Sequence, residues 1–283
     1  MEIQDEKPRV SIPLDCIGFK GIRRKLRINS VLEGLILLDS SIDVCVSIDG
    51  DRRGAHLSRN LSAVSEAITS VSSAHSIEEY LGRIAKNLIN LHSYARRAVV
   101  RARTTYYVAI EHEGIMQEEP VEVEVEVEVS RDGEEYWSTS VTVYGMTACP
   151  SAQKTINELR LGEMRGVTHS QKAKLRVTVR SPPGNIARIE ELAKAAAKSF
   201  SAPAFSMLKR DMEANLVISA HLNPKFAEDV VRDAILNVAS MLRARGFDEN
   251  TLITAEIESY ESIHPQNVYA RASLTLKDID RIR

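Results

Sequence analysis

From Val121 to Val129, valine and glutamate alternate without a break. A period of two sends successive side chains to opposite faces of an extended strand, so the valines line one side and the glutamates the other. The carboxylate row could be read as an acidic metal-binding ladder, but identical carboxylates on one face repel and lack mixed ligands. A solvated strand face that also discourages edge aggregation is the favoured reading. A second alternating stretch, Ile22 to Ile28, places Arg23, Lys25 and Arg27 on one side and is expected to oppose the glutamate face across strands.

Around these strands the chain repeats a coarse pattern. Val10 to Ile28 and Leu35 to Ile48 read as strands; Leu61 to Val71 and Ile77 to His92 read as helices, the second opened by a capping box of Ser76 and Glu79. Strands follow at Val99 to Glu111 and Val121 to Val129. The second half gives strands at Glu135 to Tyr144 and Ala173 to Val179, then helices at Ile186 to Ser199, around Phe205 to Ile218, and at Pro224 to Arg245. It closes with strands at Leu252 to Glu258 and Val268 to Leu276. Two strands, helices and two strands, twice over, predict an α+β protein built from two copies of one antiparallel module, residues 1–132 and 133–283. In the helix from Pro224, Asn223 is the expected N-cap and Pro224 the first helical residue. Phe226, Val230, Ala234, Val238 and Leu242 recur on one face, and Gly246 is the stop.

Composition removes several function classes. With 5% aromatics, a net charge of −2 and a pI near 6.4, the chain is not built to stack nucleobases and carries no global field to recruit nucleic acid or membrane. Three widely spaced cysteines are not expected to make a disulfide framework. The N-terminal MEIQDEKPR has no apolar stretch typical of a secretory signal, and no segment approaches membrane-spanning length. A cytoplasmic protein is expected.

Cys149 follows the alternating run Val141-Thr142-Val143-Tyr144, inside GMTACPSAQ. Gly145 is expected to break the strand, and Pro150 to keep a helix from starting at the thiol. Alone, such a thiol reads as structural. The ligand reading gains from the polar strings Gly166 to Gln171 with His169, Lys209 to Glu213, Asn223 to Asp229 with Glu228, and Glu261 to Asn267 with His264. Thiolate, imidazoles and carboxylates together suit a borderline transition metal such as Zn, Fe or Mn better than Mg or Ca. No spacing is a compact metal motif, so any site has to be assembled by folding. The segment Asp51 to Arg59 concentrates base and glycine; it reads either as a polyanion site or as a basic surface turn. Neither a P-loop nor a Rossmann phosphate cradle is present.

As a set, RRGAHLSR, GMTACPSAQ, THSQ, LKRDMEA, NPKFAEDVVRD and ESIHPQN resemble the GTP cyclohydrolase IB family, GMTACP most of all its archaeal branch. The resemblance spans about Arg53 to Asn267. It implies a bimodular tunnelling fold whose modules build barrels jointly with neighbouring subunits, and a homotetramer with active sites at subunit interfaces. It implies Cys149, His169, Glu213 and His264 as ligands of one divalent metal per subunit, with Cys149 and His264 also catalytic, and Glu228 as the purine anchor. Arg53, His56 and Arg59 would bind the triphosphate of the substrate, GTP. The archaeal branch implies Fe(II), with Mn(II) or Zn(II) as alternatives, and 7,8-dihydroneopterin 2′,3′-cyclic phosphate as product; the bacterial branch implies the triphosphate. This chain departs from the family pattern at Ser151, where a second cysteine is usual, and at His169 to Lys172, where HSQK replaces HNQR. The second departure bears on how His169 is oriented, because a ligand histidine depends on the hydrogen bond at its other nitrogen. A different tunnelling-fold enzyme acting on a pterin or deazapurine, and a non-catalytic binding paralogue, are the rival readings. The intact Cys/His/Glu/His set speaks against the second.

Overall fold

The alternating valines become the buried face of a long strand in the computed structural model, which describes residues 2–30, 34–69, 74–159 and 166–282. Strands β1 (Leu14–Ser30) and β2 (Gly34–Ile48) precede helices α1 (Leu57–Thr69) and α2 (Ile77–Leu91), and strands β3 (Arg97–His112) and β4 (Ile115–Ser130) follow. After β5 (Glu135–Ala148) come α3 (Pro150–Glu158), β6 (Ser170–Ser181), α4 (Ile189–Ala197) and the two-residue β7 (Ala202–Pro203). Helices α5 (Arg210–Leu222) and α6 (Ala227–Ala244), strands β8 (Leu252–Ser259) and β9 (Val268–Thr275), and α7 (Leu276–Asp280) complete the described chain. The hydrogen-bonded order is β1-β2-β3-β4-β5-β6-β8-β9, with β7 beside β5. Pairings of described register are antiparallel. No helix among the described residues is long and apolar enough to cross a membrane.

The chain divides into two compact units. The first comprises residues 1–105, 123–139 and 180–186. Its α1 packs on β1 and α2 on β2, with Ala63, Val64, Leu81, Ile84 and Leu88 of the helices and Leu26, Ile42 and Val44 of the strands all buried. The apolar positions of α2 recur three and four residues apart, and Ser76 caps it by accepting the Glu79 N–H at 3.2 Å. The second comprises residues 106–122, 140–179 and 187–283. There α6 packs on α4, β8 and β9 through Val230, Ala234, Val238 and Leu242, all fully buried. Truncating one such leucine to alanine costs about 2–5 kcal/mol. The module boundary expected after residue 132 falls in the turn joining β4 to β5.

Several local expectations are corrected. β1 pairs with β2, Arg23 lying opposite Ser41 and Lys25 opposite Asp39, so these cations do not meet the glutamate face. The strand order gives that role to β3. Arg97 lies 3.1 Å from Glu128, Arg101 Nε 2.9 Å from Glu126, and Arg103 2.7 Å from Glu124 and 2.9 Å from Asp43. Arg180 adds a contact to Glu128 at 3.6 Å. No disulfide framework is expected from three widely spaced cysteines, yet Cys16 and Cys45 form one bridge with Cα atoms 5.2 Å apart, because the β1–β2 pairing brings together cysteines separated by 29 positions.

Asn223 does not cap α6. It ends α5, and its Nδ2 donates to the carbonyls of Phe200 (3.4 Å) and Ser201 (3.2 Å). Pro224 lies just past that helix end, where proline stops a helix as readily as it starts one. Phe226 is the N-cap of α6, and Asp229 reaches back to its N–H at 3.1 Å. The stop at Gly246 holds, with φ +69°. Helix α1 begins at Leu57, earlier than expected; the expected end at Val71 lies outside the described residues. The expected final strand stops at Thr275, whose side chain and that of Asp278 form the capping box that opens α7.

Candidate metal and substrate site

The site is built where β5 ends. The strand runs straight through Gly145 to Ala148, because the Phe200 ring occupies the space above that glycine: a Cβ there would lie 2.2 Å from Phe200 Cγ. Gly145 admits the ring, and β7 pairs alongside, Gly145 opposite Pro203. The expectation that Gly145 breaks the strand therefore fails. So does the expectation for Pro150. Helix α3 begins at Pro150 itself, since the first helical residue needs no N–H donor and proline's φ is already set for it. Cys149 becomes the N-cap, its Sγ accepting the Ala152 N–H at 3.4 Å. The sulfur sits at the positive end of a helix, which suits an anionic ligand atom.

Two of the four candidate ligands are brought together by backbone pairing. Cys149 N–H donates to the His169 carbonyl at 3.1 Å, and Thr168 Oγ1 donates to the Cys149 carbonyl at 2.7 Å. Both Cys149 and His169 are half-buried. His169 Nδ1 lies 3.0 Å from Gln171 Oε1, an acceptor, so Nδ1 is the donor and, in the neutral ring, Nε2 carries the lone pair. The departure from HNQR thus leaves the orienting residue in place, because the glutamine is common to both strings. Lys172, which replaces the arginine, carries its ammonium 4.5 Å from the centre of the Tyr144 ring.

Glu213 is exposed on the first turn of α5. Ala202, Leu216 and Ala220 bury that helix, with Met146, Phe205 and Leu208 against them. Glu119 of β4 holds the preceding loop by accepting the Ser206 N–H at 2.8 Å. Gln153 of α3 donates to the His221 carbonyl at 2.8 Å and ties the thiol's helix to the end of α5. His264 is exposed between β8 and β9, and Glu228 is exposed as the second residue of α6. No three His, Cys, Asp or Glu side chains form a metal-holding group among the described residues of one chain. The donor chemistry still fits a borderline transition metal: one sulfur at a helix start, one imidazole with its tautomer set, and a second imidazole and a carboxylate on exposed segments.

A separate cavity of about 590 Å³ is lined by His112, Lys194, Lys198, Phe200, Asn223 and Lys225 among others. None of the candidate ligands lines it. His112, its Nε2 2.8 Å from Ser219 Oγ, is held below the usual histidine pKa by burial. Sequence reasoning missed this residue, which no motif marks.

The basic turn is neither bare surface nor open anion site. Its backbone N–H groups at Arg53 and Gly54 donate to the carbonyls of Glu6 (2.9 Å) and Gln4 (3.2 Å). Arg52 pairs with Asp5, Arg53 with Glu6 at 2.9 Å, and His56 with Glu2 at 2.8 Å. Arg59 donates to the Leu91 carbonyl at 3.0 Å. Beneath the turn, Arg52 stacks 3.9 Å from the centre of the Tyr94 ring, and the Tyr94 hydroxyl lies 2.7 Å from His92 Nδ1. His92 is fully buried, its Nε2 2.7 Å from Asn60 Oδ1. Burial, reinforced by the positive charges of Arg59, His56 and Arg52, pushes its pKa down to about 4.

The overall architecture matches that of solved uricases. One from Arthrobacter globiformis superposes with a TM-score of 0.55 at 10% identity, covering 92% of this chain and 93% of that one. Another, from Bacillus fastidious, gives 0.56 at 10% identity, covering 95% of each. Identity that low speaks to the fold alone, and the fold is the α+β tunnelling fold. Sequence relatives narrow the class. The chain is 45% identical over 272 residues to a GTP cyclohydrolase MptA of Aeropyrum pernix, covering 95% of this chain and 94% of the relative. It is 30% identical over 296 residues to the MptA of Methanosarcina mazei, covering 95% and 92%. Residues 1–270 match the family model for type I GTP cyclohydrolase folE2. The chain belongs to that family, and it is a GTP cyclohydrolase.

Proposed function

We propose that this enzyme opens the guanine ring of GTP at C8, releases formate, and gives 7,8-dihydroneopterin 2′,3′-cyclic phosphate for pterin biosynthesis in the cytoplasm. The observation that carries the reading is the Cys149–His169 pair, two residues joined backbone to backbone, one bearing a helix-capping sulfur and the other an imidazole held at Nδ1 by Gln171. Cys149, His169, Glu213 and His264 would hold one divalent metal per subunit, Fe(II) by preference, with Mn(II) or Zn(II) as substitutes. When bound, the metal supplies Lewis acidity and lowers the pKa of a coordinated water. Glu228 accepts from the guanine N1–H and exocyclic amine together and so fixes the base. Arg53, His56 and Arg59 bind the triphosphate once the N-terminal carboxylates yield to it.

A homotetramer with active sites at subunit interfaces belongs to the same reading. β1 and β9 stand at the ends of the strand order, where a neighbouring copy can pair, Ala74 occupying the β1 edge at Arg27 and Asn29. The test is anaerobic incubation with GTP and Fe(II), Mn(II) or Zn(II), reading formate and the pterin by mass. Formate with the cyclic phosphate is the expected result. Formate with dihydroneopterin triphosphate would overturn the product assignment alone, and an intact guanine ring with every metal would overturn the reading.

A further inference from the structure

A directed chain of hydrogen bonds leads from His169 into the protein. His169 Nδ1 lies 3.0 Å from Gln171 Oε1, Gln171 Nε2 2.8 Å from Thr147 Oγ1, Thr147 Oγ1 3.0 Å from Ser259 Oγ, and Ser259 Oγ 3.0 Å from Glu261 Oε1. Thr147 and Ser259 are 0% and 1% exposed, so no water competes for their hydroxyls. The far end fixes the direction of every link. An ionised Glu261 can only accept, so Ser259 donates to it. Ser259 then accepts from Thr147, Thr147 accepts from the Gln171 amide NH₂, and Gln171 presents its carbonyl to His169. Only the imidazole tautomer protonated at Nδ1 completes the sequence.

We propose that Gln171, Thr147, Ser259 and Glu261 form a positioning relay that sets the tautomer and ring orientation of His169. The relay also ties the His169 segment to the loop bearing His264. It crosses from β6 to β5 to β8 and ends at Glu261, three residues before His264. A backbone bond from Tyr260 N–H to the Lys172 carbonyl at 2.9 Å holds β6 and the start of that loop at the same level. An all-apolar arrangement at Thr147 and Ser259 would pack as well, and the two hydroxyls would be a liability without partners at both ends. Their value lies in transmitting one orientation between two ligand-bearing segments. This inference rests on His169 being a metal ligand.

The test uses the full chain loaded with Co(II), and with Zn(II) in competition with a chelator. Thr147→Val removes the central hydroxyl at nearly constant volume. It should weaken metal affinity roughly 10–100-fold and alter the Co(II) ligand-field bands, as the loss of a ligand histidine's hydrogen-bond partner does. Thr147→Ser should restore both. Gln171→Leu, at a half-buried position, should reproduce the loss if Thr147→Val fails to fold. Wild-type affinity and spectrum in both Thr147→Val and Gln171→Leu, with metal lost in His169→Ala, would overturn the relay and leave the metal reading standing. Full metal retention in His169→Ala would overturn both. Independently of any variant, ¹⁵N NMR of the metal-free protein should find His169 protonated at Nδ1, and a ring protonated at Nε2 would refute the proposed direction.

Discussion

Acid should loosen the first unit through a single imidazole. His92 is fully buried between Tyr94 and Asn60. Neutral, it donates from Nε2 to Asn60 Oδ1 and accepts the Tyr94 hydroxyl at Nδ1. Doubly protonated, it loses the acceptor and places a charge beneath Arg52, His56 and Arg59. Its folded-state pKa of about 4 lies below the ordinary 6.5. The unfolded chain therefore binds more protons between those values. The stability tied to neutral His92 is fully present above pH 6.5 and is lost as the pH falls through 6.5 towards 4. At about 1.36 kcal/mol per pH unit of difference, the loss is ~2.5 kcal/mol between pH 7.5 and 4.5. Urea unfolding of the wild type and His92→Gln at steps across that range isolates the effect, because every other titration is common to both. The variant, less stable at pH 7.5, should converge on the wild type by about this amount at pH 4.5. A stability difference that stays constant with pH would refute the argument.

Other consequences are open to direct measurement. Gly145→Ala should destabilise by about 1–3 kcal/mol, since its Cβ would displace the Phe200 ring, and chemical denaturation would show it. Cys16→Ser should lower stability by roughly 3.6 kcal/mol under oxidising conditions, as expected for a loop of this length, and not at all in excess reductant. Neutralising Glu2, Asp5 and Glu6 together, as Gln, Asn and Gln, should raise affinity for inorganic triphosphate several-fold at low salt. Calorimetry showing no change, or a fall, would remove these carboxylates as competitors. Glu228→Gln should spare metal content while weakening GTP turnover by about thirtyfold, a loss on the order of 2 kcal/mol, because an amide offers a donor where the base needs an acceptor.

Much of this was legible along the chain. The Val/Glu alternation, the Val230–Leu242 face of α6 and the Ser76 cap are local signals that appear where the pattern put them. Phe226, however, is the exposed N-cap and not part of that face, and the Glu79 carboxylate accepts the His75 N–H and so does not close a capping box with Ser76. The failures share a cause. Asn223-Pro224 looks the same at a helix end as at a helix start, and only the carbonyls of Phe200 and Ser201 decide which it is. Gly145 and Pro150 read as breakers because their partners, a phenylalanine ring and a capping thiol, are properties of the folded chain. Gln171 stood in a recognised string, yet its role depends on β5 and β8 lying either side of β6. Asp5 and Glu6, which meet Arg52 and Arg53 of the basic turn, each lie 47 positions from their partners. By contrast, the Thr275–Asp278 box of α7 was there to be read and was overlooked.

The lattice of arginines on β3 facing glutamates on β4 has a bearing on heat. At 25 °C each such half-exposed pair contributes little, about 0.2–1 kcal/mol. Hydration of charged groups weakens as temperature rises, so the penalty for drawing them together shrinks while hydrophobic gain per unit area levels off. Arg97, Arg101, Arg103 and Arg180 pair with Glu124, Glu126, Glu128 and Asp43 across neighbouring strands, and Arg101, Arg103, Glu124 and Glu128 each have two partners, so the loss of one contact leaves another to hold those side chains in place. The same face that is nearly neutral for stability in a cold cell becomes a growing share of it in a hot one, and salt should erode that share most at the upper end of the melting curve.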